Sequence, residues 1–296
     1  MTANSAHNAE ARLPEDFEKS WNAVELDLSD KVAVVTGGGR GIGRTICLAL
    51  AREGIRAVGV VDVIDEVHTV ASDVNQRFGR EVFFPYRGDV ANSDFRRSVF
   101  ADLEKRFGVV PICVPAAGIT RDRLAVKIDK ETGHTDLYPE DEFRKVIEID
   151  LMAPVYWALE TVASVARDRR RRGVKRWTPL EGVQGVVVLI GSVSSEGNKG
   201  QVSYAAAKAG LEGAEATIAS EAAFHGVRCT LVHPGYTDTA MVRTLGDEFI
   251  EENILSHTTL HRLIRPEEIA HAVVFLIRNS TVGRQLWADA GWHPAP

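Results

Sequence analysis

Several features that assign a chain to a class of protein are scarce in this sequence. No apolar run approaches the roughly 18 residues that cross a membrane. Acidic residues stand near the start, where a signal peptide has basic and then apolar ones, and this favours a cytoplasmic protein. The three cysteines, Cys47, Cys113 and Cys229, are far apart, so reduced thiols are favoured over a disulfide framework or a zinc site. The net charge of -6 argues against a nucleic-acid footprint over the whole surface.

What the sequence does contain is an alternation of strand-like and helix-like segments from Lys31 onward. KVAVVTG is β-branched without polar alternation, which is typical of a strand covered on both faces. GIGRTICLALAREG follows with helical spacing. Because each return to a parallel strand needs a crossover, the alternation predicts an α/β fold with a doubly wound parallel sheet and helices on both faces. The further strand-like segments are RAVGVVD, EVFFPYRGD, VVPICVPAAG, GVVVLIGS, VRCTLVHPG and RQLWADAG.

We predict one domain over residues 31–296, preceded by a polar, acidic arm over residues 1–30. The arm either packs on a neighbouring subunit or is frayed. An arginine-rich segment, residues 167–176, lies between a predicted helix and the GVVVLIGS strand. It is either a solvated loop or a docking patch for an acidic partner.

A glycine-rich stretch, TGGGRGIG, lies where the first strand gives way to the first helix. Glycines allow a positive φ and let the backbone approach a ligand, and a helix N-terminus offers free N–H groups to a pyrophosphate. A tight strand-to-helix turn also favours glycine where no ligand binds, so this stretch alone is weak evidence for a phosphate-binding loop. The candidate cofactor-binding residues here are Gly37, Gly39, Arg40, Gly41, Ile42 and Gly43.

Asp62 strengthens the cofactor interpretation because of its position. It ends the second predicted strand, nineteen residues after Gly43, where an acid accepts the hydroxyls of an adenosine ribose. The alternative is an acid that only caps a helix. A carboxylate there repels a 2′-phosphate and predicts NAD, whereas Arg40 in the loop suits that phosphate and keeps NADP as the alternative.

The segment SYAAAKAG places Tyr204 four residues before Lys208, on one face of a predicted helix. The two are either surface residues of an alanine-rich helix or an acid/base pair. A fixed ammonium lowers the pKa of a nearby phenol, whose usual value is about 10, so Tyr204 could exchange a proton with a substrate hydroxyl. Ser192 ends a buried strand at the carboxyl edge of the sheet, where its hydroxyl could hold the same oxygen.

These motifs together make the chain resemble the short-chain dehydrogenase/reductase family from about Lys31 to Gly291. The resemblance rests on TGGGRGIG, on GDV at Gly88–Val90, on AAG at Ala116–Gly118, on Ser192, on YAAAK and on HPGYTDTAM. Any one of these motifs would be weak evidence for the family, but several of them in the family's order are specific evidence for it.

The resemblance implies a seven-stranded parallel sheet, a dimer or tetramer, and an NAD(P)-dependent oxidoreductase that interconverts a ketone and a secondary alcohol. It makes Tyr204 the general acid/base, Lys208 its electrostatic partner and a ligand of the nicotinamide ribose, and Ser192 a donor to the substrate oxygen. Further cofactor contacts are implied for Asp89 and Val90 at the adenine, for Ala116 and Gly118 at the floor, and for Pro234, Gly235, Thr237 and Thr239 at the nicotinamide half.

Within the family, GITRDRLAVK and GNKGQVSYAAAKAG look most like 3-oxoacyl-thioester reductases. In those enzymes basic residues at the active-site entrance meet an acidic acyl carrier protein, which would give Arg121, Arg123 and the arginine-rich segment a role. Two alternatives stay open. One is a dehydrogenase of a steroid, sugar or small cyclic alcohol, and the other is a dinucleotide-binding sensor or scaffold without turnover.

The chain departs from the family pattern at three places. Pro115 and Ala116 stand where the family has two asparagines, and proline removes a backbone donor. Asp150 stands where the family has an asparagine that supports a water beside the lysine; a carboxylate there would pair with Lys208 and shift the pH profile. Ser192 lies twelve residues before Tyr204, one fewer than usual, so Ser194 is an alternative for its role.

The C-terminal region, from Met241 to Trp292, holds residues with competing interpretations. His257 and His261 have the spacing of two metal ligands on a helix, but no supporting ligand is evident, and we predict no metal site. Met241, Val242, Leu245 and Phe249 fit a mobile lid over the substrate. Trp287 and Trp292 fit a subunit contact and core packing equally well.

Overall fold

The computed structural model describes residues 26–292, and a parallel seven-stranded sheet runs through the middle of this region. The sheet order is β3–β2–β1–β4–β7–β8–β9, with all neighbouring strands parallel. Every predicted strand segment forms one of these strands, so the predicted doubly wound α/β fold is confirmed. The strands are β1 Val32–Thr36, β2 Ala57–Asp62, β3 Phe83–Arg87, β4 Ile112–Pro115, β7 Gly185–Ile190, β8 Val227–Pro234 and β9 Gln285–Ala288.

Helices cover both faces of the sheet. They are α1 Gly41–Arg52, α2 Glu66–Phe78, α3 Ser93–Phe107, α4 Glu140–Ile147, α5 Ala153–Arg171, α6 Val202–Ala222, α7 Ala240–Arg243, α8 Asp247–Asn253 and α9 Pro266–Arg278, and a π-helical turn, Glu148–Met152, joins α4 to α5. Within the described residues, no helix is both long enough and apolar enough to cross a membrane.

Two hydrophobic cores lie on the two faces because strand side chains alternate in direction. On β1, Ala33 and Val35 pack with α1, α2 and α9. Val32 and Val34 point to the other face and pack with α3, α5 and α6. Both faces of β1 are therefore apolar, which is the physical reason that its sequence shows no polar alternation.

A short antiparallel hairpin follows β4 and was not predicted. It consists of β5 Val126–Ile128 and β6 Thr135–Leu137, and all six of its residues are exposed. Strands of three residues are too short to reveal a period of two in the sequence.

Most of the predicted N-terminal arm, residues 1–25, lies outside the described residues. Residues 26–30 are described, and Leu28 is buried in the core formed with α1, α2 and α9. The amide of Leu26 donates to the carbonyl of Arg278 at the end of α9 (3.1 Å).

The arginine-rich segment lies at the amino edge of the sheet, which corrects its suggested place at the active-site entrance. Helix α5 runs back from the carboxyl edge, and Arg172 at its end donates to Gln184, the residue before β7 (3.1 Å). Arg169 is buried and pairs with Glu181 (2.6 Å), so it holds the loop before β7 to α5. Arg172 also pairs with Asp168 (2.8 Å), whereas Arg170 and Arg176 are exposed.

Candidate active site

The glycine-rich loop joins β1 to α1 and adopts a conformation that only glycines allow. Gly37 and Gly41 have φ values of 66° and 55°. A Cβ on Gly37 would lie 2.8 Å from Ala117 Cα, and one on Gly43 would lie 2.2 Å from the carbonyl oxygen of Gly37. The chain therefore closes tightly beneath the N-terminus of α1, where no side chain caps the helix. Its free N–H groups and partial positive charge suit a pyrophosphate.

Asp62 ends β2 beside this loop and is buried. Its Oδ2 accepts a hydrogen bond from the amide of Gly39 (2.9 Å), and its Oδ1 accepts one from the amide of Val63 (2.7 Å). Helix α2 begins later, with Asp65 as its N-cap residue, so Asp62 caps no helix in the described region. The carboxylate instead fixes the glycine loop to the end of β2.

The segment after β4 forms the floor between the loop and α6. The amides of Ala116 and Ala117 donate to the Thr36 carbonyl (3.2 Å) and the Thr36 hydroxyl (3.1 Å), which keeps this segment against β1 beyond Pro115. A Cβ on Gly118 would lie 2.8 Å from Asp150 Oδ2. Glycine at this position is what lets Asp150 approach the floor.

The predicted adenine residues flank the far side of the site. Asp89 is half-exposed, and its Oδ1 accepts from the amide of Ala91 (2.9 Å). Val90 is buried, and its carbonyl accepts from the Trp157 indole (3.0 Å). The tryptophan thus fixes the GDV turn to α5.

Tyr204 and Lys208 lie one helical turn apart on α6, facing the carboxyl ends of β4 and β7. Lys208 is buried; its Nζ lies 5.4 Å from the centre of the Tyr204 ring and donates to the carbonyl of Ile190 (3.0 Å). The same Nζ lies 3.4 Å from Asp150 Oδ2. Although burial alone lowers the pKa of Lys208, the neighbouring Tyr204 and Asp150 raise it above its ordinary value, which keeps the ammonium charged.

The pKa of Tyr204 is raised, not lowered as the sequence predicted. Burial disfavours the phenolate and is the largest cause. Lys208 and a hydrogen bond with Ser192 oppose this effect, while the Asp150 carboxylate adds to it. The sequence showed the ammonium four residues away and the pairing of Asp150 with Lys208, but not the burial of the phenol.

Asp150 lies on the π-helical turn between α4 and α5 and has no exposed surface. Its Oδ1 accepts from the amide of Ile119 (2.9 Å), and burial raises its pKa while Lys208 opposes the rise. Such turns occur often at functional sites, where they redirect one side chain. Here the turn brings a carboxylate to the buried lysine.

The structure separates the two candidate serines. Ser192 follows β7, and its side chain lies close enough to Tyr204 to lower the pKa of the phenol. The Ser194 hydroxyl donates instead to Gln201 (2.8 Å). Ser192 is therefore the serine that the fold brings to the tyrosine, despite the shortened spacing.

The segment after β8 joins the two halves of the site. The amide of Gly235 donates to the carbonyl of Ala288 (3.0 Å), and the Thr237 hydroxyl donates to the carbonyl of Gly235 (3.0 Å). Thr239 precedes α7, and its side chain lies next to the glycine loop, since a Cβ on Gly41 would lie 3.6 Å from Thr239 Cγ2. The segment after β8 therefore reaches from the end of β9 to the glycine loop.

The lid candidates and the histidines fall outside this cluster. Met241, Leu245 and Phe249 lie on or next to α7 and α8 and are exposed, each above one-third. Nδ1 of His257 is 2.9 Å from the Ser256 hydroxyl, and within residues 26–292 no group of three potential metal ligands occurs. Trp292 is buried, whereas Trp287 is partly exposed and stacks on His233.

Sequence reasoning missed a network of polar side chains around the site. Asn198 donates to the Tyr236 hydroxyl (3.0 Å), and Gln201 donates to Asp122 (2.9 Å). The hydroxyls of Tyr138 and Ser203 lie 2.8 Å apart, which links the segment after the hairpin to the first turn of α6. The GNKGQ motif held two of these residues, but their partners are distant in the chain and no spacing rule reveals them.

Comparison with known proteins agrees with this geometry. A family model described as "Enoyl-(Acyl carrier protein) reductase" matches residues 37–293. The chain belongs to the short-chain dehydrogenase/reductase family, whose members are oxidoreductases that bind NAD(P).

Individual proteins within the family are similar to this chain over most of its length. The chain is 32% identical to the 3-oxoacyl-[acyl-carrier-protein] reductase FabG of Escherichia coli, over 90% of this chain and 99% of that protein. It is 32% identical to the human 3-oxoacyl-[acyl-carrier-protein] reductase, over 88% of this chain and 98% of that protein. A short-chain type dehydrogenase/reductase from Mycobacterium marinum has the same fold, with a TM-score of 0.74, 25% identity, and coverage of 90% of this chain and 96% of that one.

Proposed function

We propose that the protein reduces a ketone to a secondary alcohol with NADH, and that the ketone is a 3-oxoacyl thioester. The proposed type of reaction rests on the cluster of Ser192, Tyr204 and Lys208 at the carboxyl edge of the sheet, where both Ser192 and Lys208 lie close enough to Tyr204 to lower the pKa of its phenol. The thioester is supported by the relatives named 3-oxoacyl-[acyl-carrier-protein] reductase.

The chemistry of the residues along this edge of the sheet suits a dinucleotide. The glycine loop beneath α1 provides N–H groups for the pyrophosphate, and Asp62 provides acceptors for the adenosine ribose. Asp89 and Val90, then Ala116 and Gly118, and finally the segment from Pro234 to Thr239 would complete the contacts. When bound, the reduced nicotinamide supplies a hydride, and the chain's own residues manage the oxygen and its proton.

In the proposed reduction, the carbonyl oxygen lies between Ser192 and Tyr204. The Ser192 hydroxyl donates a hydrogen bond to it, and the Tyr204 hydroxyl gives it a proton as negative charge develops there. The phenolate that results lies beside the Lys208 ammonium, which stabilises it. The carbonyl of Ile190 and the carboxylate of Asp150 hold that ammonium in place.

The raised pKa of Tyr204 supports a different pH dependence for each direction of the reaction. A phenol whose pKa lies above its ordinary value stays protonated near neutral pH and is ready to act as an acid. In alcohol oxidation the same group must first lose its proton. We therefore expect ketone reduction to proceed at neutral pH and alcohol oxidation to need a higher pH.

Asp62 is the basis for proposing NAD over NADP. Its carboxylate lies at the glycine loop, so a 2′-phosphate on the ribose would meet a negative charge. Arg40 is exposed on the same loop and supports NADP as the alternative.

We also propose an acyl carrier protein as a partner and a homodimer or homotetramer as the assembly. Arg121 and Arg123 are exposed after β4, and the amide of Arg123 donates to the carbonyl of Gly200 (2.8 Å), beside the proposed site. Met152, Tyr156 and Leu159 leave an exposed apolar stripe on and beside α5 that a second copy could cover.

The deciding experiment follows nicotinamide absorbance with NADH and NADPH over a substrate panel. The panel contains a 3-oxoacyl thioester, a steroid, a sugar, a cyclic ketone and an enoyl thioester. We expect the 3-oxoacyl thioester to be reduced with the highest kcat/KM, and faster with NADH. Preference for another ketone would overturn the substrate, preference for the enoyl thioester would overturn the reaction type, and cofactor binding without turnover would favour the sensor.

A further inference from the structure

A fully buried histidine lies directly behind the proposed active-site serine. His233 is the penultimate residue of β8, and its ring stacks on the Trp287 indole of β9, with ring centres 4.0 Å apart and planes 9° from parallel. Its Nδ1 lies 3.0 Å from the carbonyl oxygen of Ser192. A Cβ on Gly191 would lie 2.7 Å from the same Nδ1, so the ring packs against the backbone of the Gly191–Ser192 turn.

The backbone at Ser192 is where β7 ends and a short 3-10 turn begins. Ser192 is extended, with φ −168° and ψ 154°, and its carbonyl also accepts from the amide of Ser195 (3.0 Å). The Ser192 hydroxyl accepts from the amide of Ser194 (3.1 Å). The direction of the Ser192 side chain therefore depends on the orientation of this turn relative to the end of the sheet. His233 is the side chain that contacts the turn from β8.

Nδ1 of His233 has two polar neighbours, the Ser192 carbonyl oxygen at 3.0 Å and the Ser195 hydroxyl at 3.4 Å, and the shorter contact indicates which nitrogen carries the proton. A carbonyl oxygen only accepts hydrogen bonds, so Nδ1 must carry a proton to bond with it. Burial lowers the pKa of His233, which favours the neutral ring. Nε2 makes no close hydrogen bond among the described atoms; a contact with the Gln285 side chain opposes the lowering of the ring's pKa, and the Glu212 carboxylate oxygen is 3.8 Å away.

We propose that His233 is a positioning residue, whose Nδ1–H donates to the Ser192 carbonyl and so holds the Ser192 hydroxyl towards Tyr204. The inference rests on the proposed function, because the orientation of the Ser192 hydroxyl affects catalysis only if a substrate oxygen binds beside it. His233 itself touches neither Tyr204 nor Lys208 among its recorded contacts, and it acts through the backbone of Ser192. The flat contact with Trp287 sets the plane of the imidazole and hence the direction of its N–H.

Two variants separate the donor from the ring. His233→Phe keeps a flat ring against Trp287 but has no donor, whereas His233→Asn loses the ring but can place an amide N–H where Nδ1 stood. We expect His233→Phe to lower kcat about tenfold or more with the KM for NADH unchanged, and His233→Asn to retain most of the kcat. A Phe variant with parental kcat, or an Asn variant that loses as much as Phe, would overturn the proposal.

Measurements that need no turnover keep this test apart from that of the proposed function. Nitrogen-15 NMR of the parent should show a neutral His233 protonated at Nδ1, and an Nε2-protonated ring would overturn the proposal. Backbone amides of residues 191–197 should exchange hydrogen faster in His233→Phe than in the parent and near the parental rate in His233→Asn; equal rates in all three proteins would overturn it. A parent that turns over no substrate of the panel would refute the proposed function and leave these two measurements valid.

Discussion

Asp150 Oδ2 lies 3.4 Å from Lys208 Nζ, and the two side chains are 0% and 5% exposed. A carboxylate and an ammonium buried this way interact strongly, because little water screens them. Each also interacts with Tyr204: the ammonium lowers the pKa of its phenol, and the carboxylate raises it. The ion pair therefore sets how readily the proposed acid/base gives up its proton.

Replacing Asp150 with asparagine should move the pH profile of alcohol oxidation to lower pH. The active form in that direction is the phenolate, so the rate rises as pH passes the pKa of Tyr204. Asp150 raises this pKa, and removing its charge therefore lowers the pH at which the rate rises. The measurement is kcat/KM for the alcohol against pH in the parent and in Asp150→Asn.

The matched control is Glu148→Gln, which neutralises an acid of the same π-helical turn that is 48% exposed and pairs with Lys145 instead. Its profile should follow the parent's. A profile of Asp150→Asn that coincides with the parent's would show that the ion pair does not govern Tyr204.

Tyr204→Phe tests whether the phenol transfers the proton. We expect kcat for ketone reduction to fall about 10²- to 10⁴-fold, the usual contribution of a positioned acid. Cofactor affinity, measured by NADH fluorescence, should change far less, because the glycine loop and Asp62 are untouched. A variant that reduces the ketone at the parental rate would assign the proton to another group.

A feature of the fold or of the site could be predicted from the sequence where its physical cause lies in neighbouring residues of the chain. It could not be predicted where the cause depends on residues that only the fold brings together. The strands were predicted because buried parallel strands such as β1 are apolar on both sides, and that is visible in five residues. The sequence predicted that Asp150 would pair with Lys208, but it did not predict a raised pKa for Tyr204, because the largest cause is the burial of the phenol and burial depends on the whole fold. The position of Arg169 was missed for the same reason: its partner Glu181 and the direction of α5 are properties of the fold.

Asp62→Asn tests the choice of cofactor. Asparagine keeps an oxygen that can accept from the amide of Gly39 but removes the charge that a 2′-phosphate would meet. Unit charges at about 4 Å near a protein surface interact by roughly 1 to 4 kcal/mol, so kcat/KM with NADPH should rise at least about fivefold relative to NADH. The measurement is the ratio of the two kcat/KM values with one ketone.

Arg40→Ala is the companion to this variant, since it removes the opposite charge from the same loop. It should lower the efficiency with NADPH and leave that with NADH nearly unchanged. A parent that prefers NADPH, with no response to Asp62→Asn, would show that the acid does not select the cofactor.

Two pairs of arginines at opposite edges of the sheet test where an acyl carrier protein docks. Arg121 and Arg123 follow β4 beside the proposed site, whereas Arg170 and Arg176 lie near the end of α5 at the amino edge. All four are exposed, so each double alanine variant removes the same charge from the surface.

We expect Arg121→Ala with Arg123→Ala to raise the KM for a carrier-linked 3-oxoacyl substrate about three- to tenfold, the size of two surface ion pairs. The same variant should leave the KM for a small 3-oxoacyl thioester unchanged, and its defect should shrink in high salt because exposed charges are screened. Arg170→Ala with Arg176→Ala should match the parent with both substrates; if this pair instead carries the loss, the carrier docks at the far edge and the proposed entrance is wrong.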